Sequence, residues 1–299
     1  MTMPQARGAV VAGLDATSGA GPVLAWAADE AALRGLPLHV VLAVDESAPE
    51  SGRAEPGPAP APAPGGPAAG AAVAALLEDA RQAALARHPG LTVVCEPADG
   101  SAVDALRALA PGSAMVVIGS RHHGVVRDLV GRDALGPSLV AQAACPVVVV
   151  GEPESVPHAP PRIVVGVDGS GVSREAVRFA FEEAAFRDAR LIAVAAWEPQ
   201  YLRDLALEDA EDEVRRVLAE STAGWREKYP DIELRHEVVR GHPAAVLGDA
   251  AQGAVQLVVG SRGLGGFSGL LLGSVSRSLM RRATCPVVVV PHRAGEGVV

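Results

Sequence analysis

The chain has 299 residues, with 35 acidic against 26 basic side chains and a formal charge of −9, a balance that argues against nucleic acid or an anionic membrane surface as the main partner. No run of about 18 apolar residues occurs and no basic stretch leads into an apolar core at the N-terminus, so neither a membrane span nor a secretion signal is expected, and a cytoplasmic location is. Cys95, Cys145 and Cys285 lack the close spacing of zinc ligands, and the scattered histidines do not supply it, so no metal site is expected.

In chain order, valine-rich runs near 8–15, 38–44, 91–96, 114–119 and 146–150 predict five strands in the first half. Between the second and third lies Ala48 to Gly70, APESGRAEPGPAPAPAPGGPAAG, too poor in large apolar groups and too rich in Pro and Gly for a helix or a central strand. The second half predicts strands at 162–168, 190–197, 232–239, 255–260 and 286–290, with helices near 173–188, 206–228, 242–252 and 274–283. The helix at 173–188 sets Val177, Phe181, Ala184 and Ala185 against Arg174, Glu175, Arg178 and Glu182, as a half-buried helix requires. Strands without polar alternation are buried on both faces, the condition of a parallel sheet, and their alternation with helices predicts a doubly wound α/β fold with ligands at the carboxyl ends of the strands.

The two halves repeat one design. IVVGVDGSGVS echoes VVAGLDATSG, VVGSR echoes VIGSR, and ATCPVVVV echoes AACPVVVV. A repeat of about 150 residues means tandem domains, here 1–151 and 158–299. Cys145 and Cys285 fall at matching places before the last strand and read as small buried hydrophobes. Those last strands, Val147 to Val150 and Val287 to Val290, are short apolar edges that need cover.

Function is written most densely in Leu257 to Arg282, where a strand runs into Gly260-x2-Gly263-x9-Gly273-Ser274 and then a helix. That is the layout of a phosphate cradle: glycines to turn at positive φ and approach a ligand, and a helix N-terminus offering free N–H groups. It is neither Gly-x4-Gly-Lys-Ser/Thr nor a complete Gly-x-Gly-x2-Gly. Asp168, at the end of the half's first strand, would share the crevice with Gly260 and can accept hydrogen bonds from a nucleoside; taken alone it reads equally as a turn or cap residue. No residue stands out as a general base, so no catalytic residue is assigned.

Together with Val-x-Asp-Gly-Ser, Gly241-His242-Pro243 and the CPVVVV ending of each half, this constellation resembles the universal stress protein family in its tandem form, over nearly the whole chain. The resemblance implies two flavodoxin-like domains of the adenine-nucleotide-binding kind. It also implies that Asp168 and a backbone group of Ala196 hold the adenosine, that Gly260 and Gly263 shape the loop, and that Gly273, Ser274, Val275 and Ser276 meet the phosphates. Arg262 would supply a cation there. The implied ligand is ATP, with or without Mg2+, and the implied role is signalling of stress or dormancy to a protein partner; AMP or cyclic AMP, a nucleotide-free interaction role, and an enzyme of the ATP-pyrophosphatase type stand as alternatives, and hydrolysis or autophosphorylation stays open. In the family's dimers the last strands pair across a two-fold, which predicts an internal pseudo-dimer here; a homodimer of the whole chain stays open.

The first half departs from the pattern. Asp15, Gly119 and Ser120 are kept, but His122 replaces the second glycine and Arg132-Asp133 replaces the Gly-Ser, so one nucleotide site per chain is expected. Arg121, His122, His123, Arg127 and Arg132 form a rival anion-site reading. Tyr201 and Arg203 are expected to close over a bound base.

Overall fold

A computed structural model describes residues 8–15, 21–43, 67–98, 101–120, 135–151, 160–199, 207–264 and 272–292. The first half runs β1 (Val10–Asp15), α1 (Gly21–Arg34), β2 (Leu38–Ala43), α2 (Pro67–Arg87), β3 (Val93–Pro97), α3 (Ala102–Leu109), β4 (Met115–Gly119), α4 (Leu135–Gln142) and β5 (Val147–Val150). The second runs β6 (Arg162–Gly166), α5 (Gly171–Arg187), β7 (Arg190–Trp197), α6 (Leu207–Lys228), β8 (Leu234–Arg240), α7 (Pro243–Ala250), β9 (Gln256–Gly260), α8 (Ser274–Arg282) and β10 (Val287–Val290).

The strands form one sheet of ten in the order β3-β2-β1-β4-β5-β10-β9-β6-β7-β8. Within each half all pairs are parallel, and the two half-sheets join where β5 meets β10 antiparallel, Val148 opposite Val288. Successive side chains of a strand leave opposite faces, so each valine run feeds two cores. On one face Val10, Val40, Ile163, Val165 and Leu191 pack with Ala27 of α1, Ala84 of α2, Phe181 of α5 and Leu218 of α6. On the other Val11, Val116, Val164 and Leu257 pack with Leu106 of α3, Leu139 of α4, Leu247 of α7 and Leu279 of α8. The result is the expected α/β fold, three layers with the sheet in the middle.

Among the boundaries that differ from the sequence reading, three have a local reason. β6 ends at Gly166 rather than 168: Val167 still donates its N–H to Val194 O, and the chain then turns at Asp168. α5 opens at Gly171, ahead of the predicted 173, because Ser170 caps it, its hydroxyl accepting from Ser173 N–H at 3.1 Å. α2 begins at Pro67, inside the stretch expected to be free of helix; proline suits a first helical turn, where its missing N–H would have had no acceptor. The rest of 48–66 lies outside the described residues.

A candidate nucleotide site in the second half

β6 sits between β9 and β7, so the segments leaving these three strands converge beyond their carboxyl ends. Asp168 joins two of them. Its Oδ1 accepts Ser170 N–H at 2.9 Å, the short turn that the sequence reading allowed for, and its Oδ2 accepts Leu264 N–H at 3.0 Å from the loop after β9. The carboxylate is exposed, so it can take further donors while holding both segments.

The glycines act by bareness more than by φ. A Cβ on Gly263 would lie 2.2 Å from Asp168 Oδ2, and one on Gly260 would lie 2.9 Å from Val172 Cγ1 and 3.1 Å from the Arg262 carbonyl oxygen. Neither has positive φ, and Gly273, at φ −67, has room for a Cβ. The expectation of positive-φ turns at these three glycines is therefore corrected. The left-handed residue is Gly169 (φ 82), over which α6 packs so closely that a Cβ would meet Val217 Cγ1 at 2.7 Å.

α8 is bolted to the end of β9. Gly273 N–H donates to Ser261 O at 2.8 Å, and the buried Ser276 hydroxyl donates to Gly260 O at 2.7 Å. That hydroxyl is engaged within the protein, so what the first turn has left to offer a ligand is its N–H groups and the exposed Ser274. Helical bonding starts with Arg277 N–H on Gly273 O, the first turn carries no acid, and Gly273 offers no side-chain cap. Ser274, Val275 and Ser276 thus present the uncapped N–H groups and partial positive charge of a helix start. Arg262, exposed beside them, has no ion pair among the described residues.

Ala196 enters through its backbone. Val194 O receives Val167 N–H, so Val194 points toward β6; two residues on, Ala196 points the same way, past the last β6 pairing at Gly166. Its N–H and C=O face the crevice that Asp168 borders. On the helical side a cleft of about 370 Å3 opens between Asp168, Gly169, Arg174 and Leu264 and the α6 residues Val217, Glu220 and Ser221. Gly169, Ser170 and Leu264 were not singled out from sequence as site-shaping; the Asp-Gly-Ser turn signal was present for the first two, while Leu264 takes part through its backbone, which side-chain identity does not encode.

In the first half Asp15 ends β1 in register with Ala43, and Ser120 N–H bonds Val150 O as Ser261 N–H bonds Val290 O. A Cβ on Gly119 would sit 3.3 Å from Val23 Cγ2, looser than at Gly260. His122, Asp133 and the cations between them, together with Tyr201 and Arg203, lie outside the described residues. Cys145 and Cys285 are buried, and that burial pushes both thiols up to about 12; Cys95, half-buried, is raised for the same reason. Among the described residues no group of three His, Cys, Asp or Glu could hold a metal ion, and no helix is long and apolar enough to cross a membrane.

Comparison with known proteins follows the same division. The model of the universal stress protein family matches residues 7–151 and again 161–291. Universal stress protein Rv2005c of Mycobacterium tuberculosis (strain ATCC 25618 / H37Rv) is 35% identical over 297 residues, covering 97% of this chain and 99% of that protein. A universal stress protein of Mycolicibacterium smegmatis is 34% identical over 306 residues, covering 95% and 97%. Among solved structures, a universal stress protein from Archaeoglobus fulgidus superposes with a TM-score of 0.65 at 16% identity, over 96% of this chain and 97% of that one, a likeness of fold.

Proposed function

The chain belongs to the universal stress protein family, and from that premise we propose that its second half binds an adenine nucleotide, ATP ahead of AMP or cyclic AMP, and that the loaded state is read by a protein partner as a stress or dormancy signal. The observation that supports this reading best is the meeting of Asp168, the Ala196 backbone and the bare Gly263 with an uncapped helix start at Ser274. A carboxylate suits ribose hydroxyls or an adenine amino group, and a helix start suits phosphates. Arg262 adds a cation to the same end, and Mg2+ would ride on the phosphates rather than in a protein cage. In this reading the first half, lacking the second glycine and the Gly-Ser, carries no nucleotide, so saturation falls near one per chain.

Calorimetric titration with ATP, AMP and cyclic AMP, followed by a phosphate-release assay, tests the reading. Gly263→Ala is the decisive variant, because its Cβ would collide with Asp168 Oδ2. We expect it to lower ATP affinity by at least about tenfold, or about 1.4 kcal/mol, with the fold retained. Unchanged affinity removes Gly263 and Asp168 from the binding surface, and two equivalent sites per chain remove the asymmetry between the halves.

A further inference from the structure

Among the described residues, a buried cluster of four charges outside this site joins the two halves. α1 and α5 are the matching helices of the repeat, and each ends on Glu-x3-Arg: Glu30 with Arg34, Glu183 with Arg187. Arg34 bonds Glu30 Oε1 through Nε at 2.5 Å and reaches Glu183 Oε1 through Nη2. Arg187 bonds Glu183 Oε2 through Nη1 at 2.5 Å and reaches Glu30 Oε2 through Nη2. Each carboxylate therefore takes one guanidinium from its own helix and one from the other half.

These groups are shielded from water. The glutamates are 3% and 1% exposed and the arginines 13% and 11%. Charges at that depth persist only with partners, and two against two leave none over. The contact is also self-complementary, since α1 offers α5 what α5 offers α1. One position breaks the symmetry: Gln256, fully buried at the start of β9, donates Nε2 to Glu183 Oε2 at 3.0 Å, whereas the matching first residue of β4 is Met115, which cannot. Glu183 is thus tied to β9 as well as to both arginines. The other end of β9 is Gly260, and α5 is capped by Ser170, whose N–H is held by Asp168. Both elements that carry the candidate site are anchored, at their far ends, on the quartet.

We propose that Glu30 and Arg34 are a docking element for Glu183 and Arg187 of the second half, and that through it the first half positions α5 and β9, and with them Asp168 and Gly260. The partner is the other half of the same chain, and Glu30 and Arg34 are positioning residues. Only the binding readout of this inference rests on the nucleotide reading.

Charge exchange within the full chain tests it. Glu183→Arg combined with Arg187→Glu sets like charges against Arg34 and Glu30. Amide exchange in 147–150, 287–290 and 260–264, measured without ligand, is expected to rise at least about tenfold while the inner strands β1 and β6 stay protected, and ATP affinity to fall by a similar factor. Adding Glu30→Arg and Arg34→Glu restores opposite charges across the contact and is expected to restore both readouts. If the first exchange does not fold, Arg34→Met leaves two buried carboxylates sharing one guanidinium and is read the same way. Undisturbed protection in β5 and β10, or no rescue by the fourfold variant, overturns the docking role. Loosened β5 and β10 with 260–264 and ATP affinity unchanged overturns the positioning role. If the unaltered protein binds no ATP, the nucleotide reading fails by itself, and exchange at 260–264 still decides the positioning.

Discussion

At Gly169 two constraints coincide, a left-handed φ of 82 and α6 lying where a Cβ would go. Gly169→Ala should cost about 1–3 kcal/mol, seen as a lower urea midpoint with unchanged slope, because strain and contact act together. Its effect contrasts with that of Gly273→Ala, where φ is ordinary and a Cβ would make only ordinary contacts, the nearest with Ser261 O at 3.4 Å; that variant should lie within about 0.5 kcal/mol of the parent. In the charge quartet, burial pushes the Glu30 carboxyl above its ordinary value despite the arginines beside it. A group raised in the folded state contributes stability that is full below its unfolded value near 4.5 and is lost as pH rises through the raised one. Burial works against the charged form of Glu30, so Glu30→Gln should destabilise less than Arg34→Met, for which about 3 kcal/mol is expected. Equal urea midpoints for the two variants would contradict that ordering. Thiol labelling at pH 8 should reach Cys95 well before Cys145 and Cys285, whose thiols are held at about 12.

At the scale of elements, the strands were legible because both-face burial leaves continuous valine runs, and β4, β5, β9 and β10 fall within a residue or two of the expected spans. The helix start at Ser274 was legible from Gly-Ser after a glycine loop. What the pattern could not carry was contact between separate elements: Gly263 was read as a turn residue, whereas its bareness answers to Asp168, ninety-five positions earlier. Glu183 reads as one more polar residue of an amphipathic helix, yet it is buried, with Arg34 reaching it from the other half and Gln256 of β9 bonded to it. The signal was in the repeat itself, Glu-x3-Arg at one place in both helices, and needed the halves to be compared for charge as well as for glycine. α8 gives a test at this scale. Ser276→Ala leaves the Gly260 carbonyl one donor short and should cost about 1 kcal/mol while speeding amide exchange in the first turn of α8; Ser276→Thr, which keeps the hydroxyl, should do less.

For the whole molecule, β5 and β10 are each other's cover: four buried valines on either side of an antiparallel seam, flanked by the quartet on one face. The outer strands β3 and β8 stay as edges, and β8 carries Arg235, Glu237 and Arg240, charges that discourage pairing with another sheet. Residues 158–299 expressed alone would expose β10 and the Glu183–Arg187 face together, and both are self-complementary. A dimer at tens of micromolar is therefore expected by sedimentation, and a stable monomer would show that the seam does not drive association. Because the seam is antiparallel, the carboxyl ends of β1, β2 and β4 and those of β6, β7 and β9 lie on opposite rims of one continuous sheet. The chain is consequently bipolar. A flat protein surface that meets the rim holding Asp168 cannot at the same time touch the rim holding Gly119, so a partner on one pole leaves the far pole free for an independent conversation.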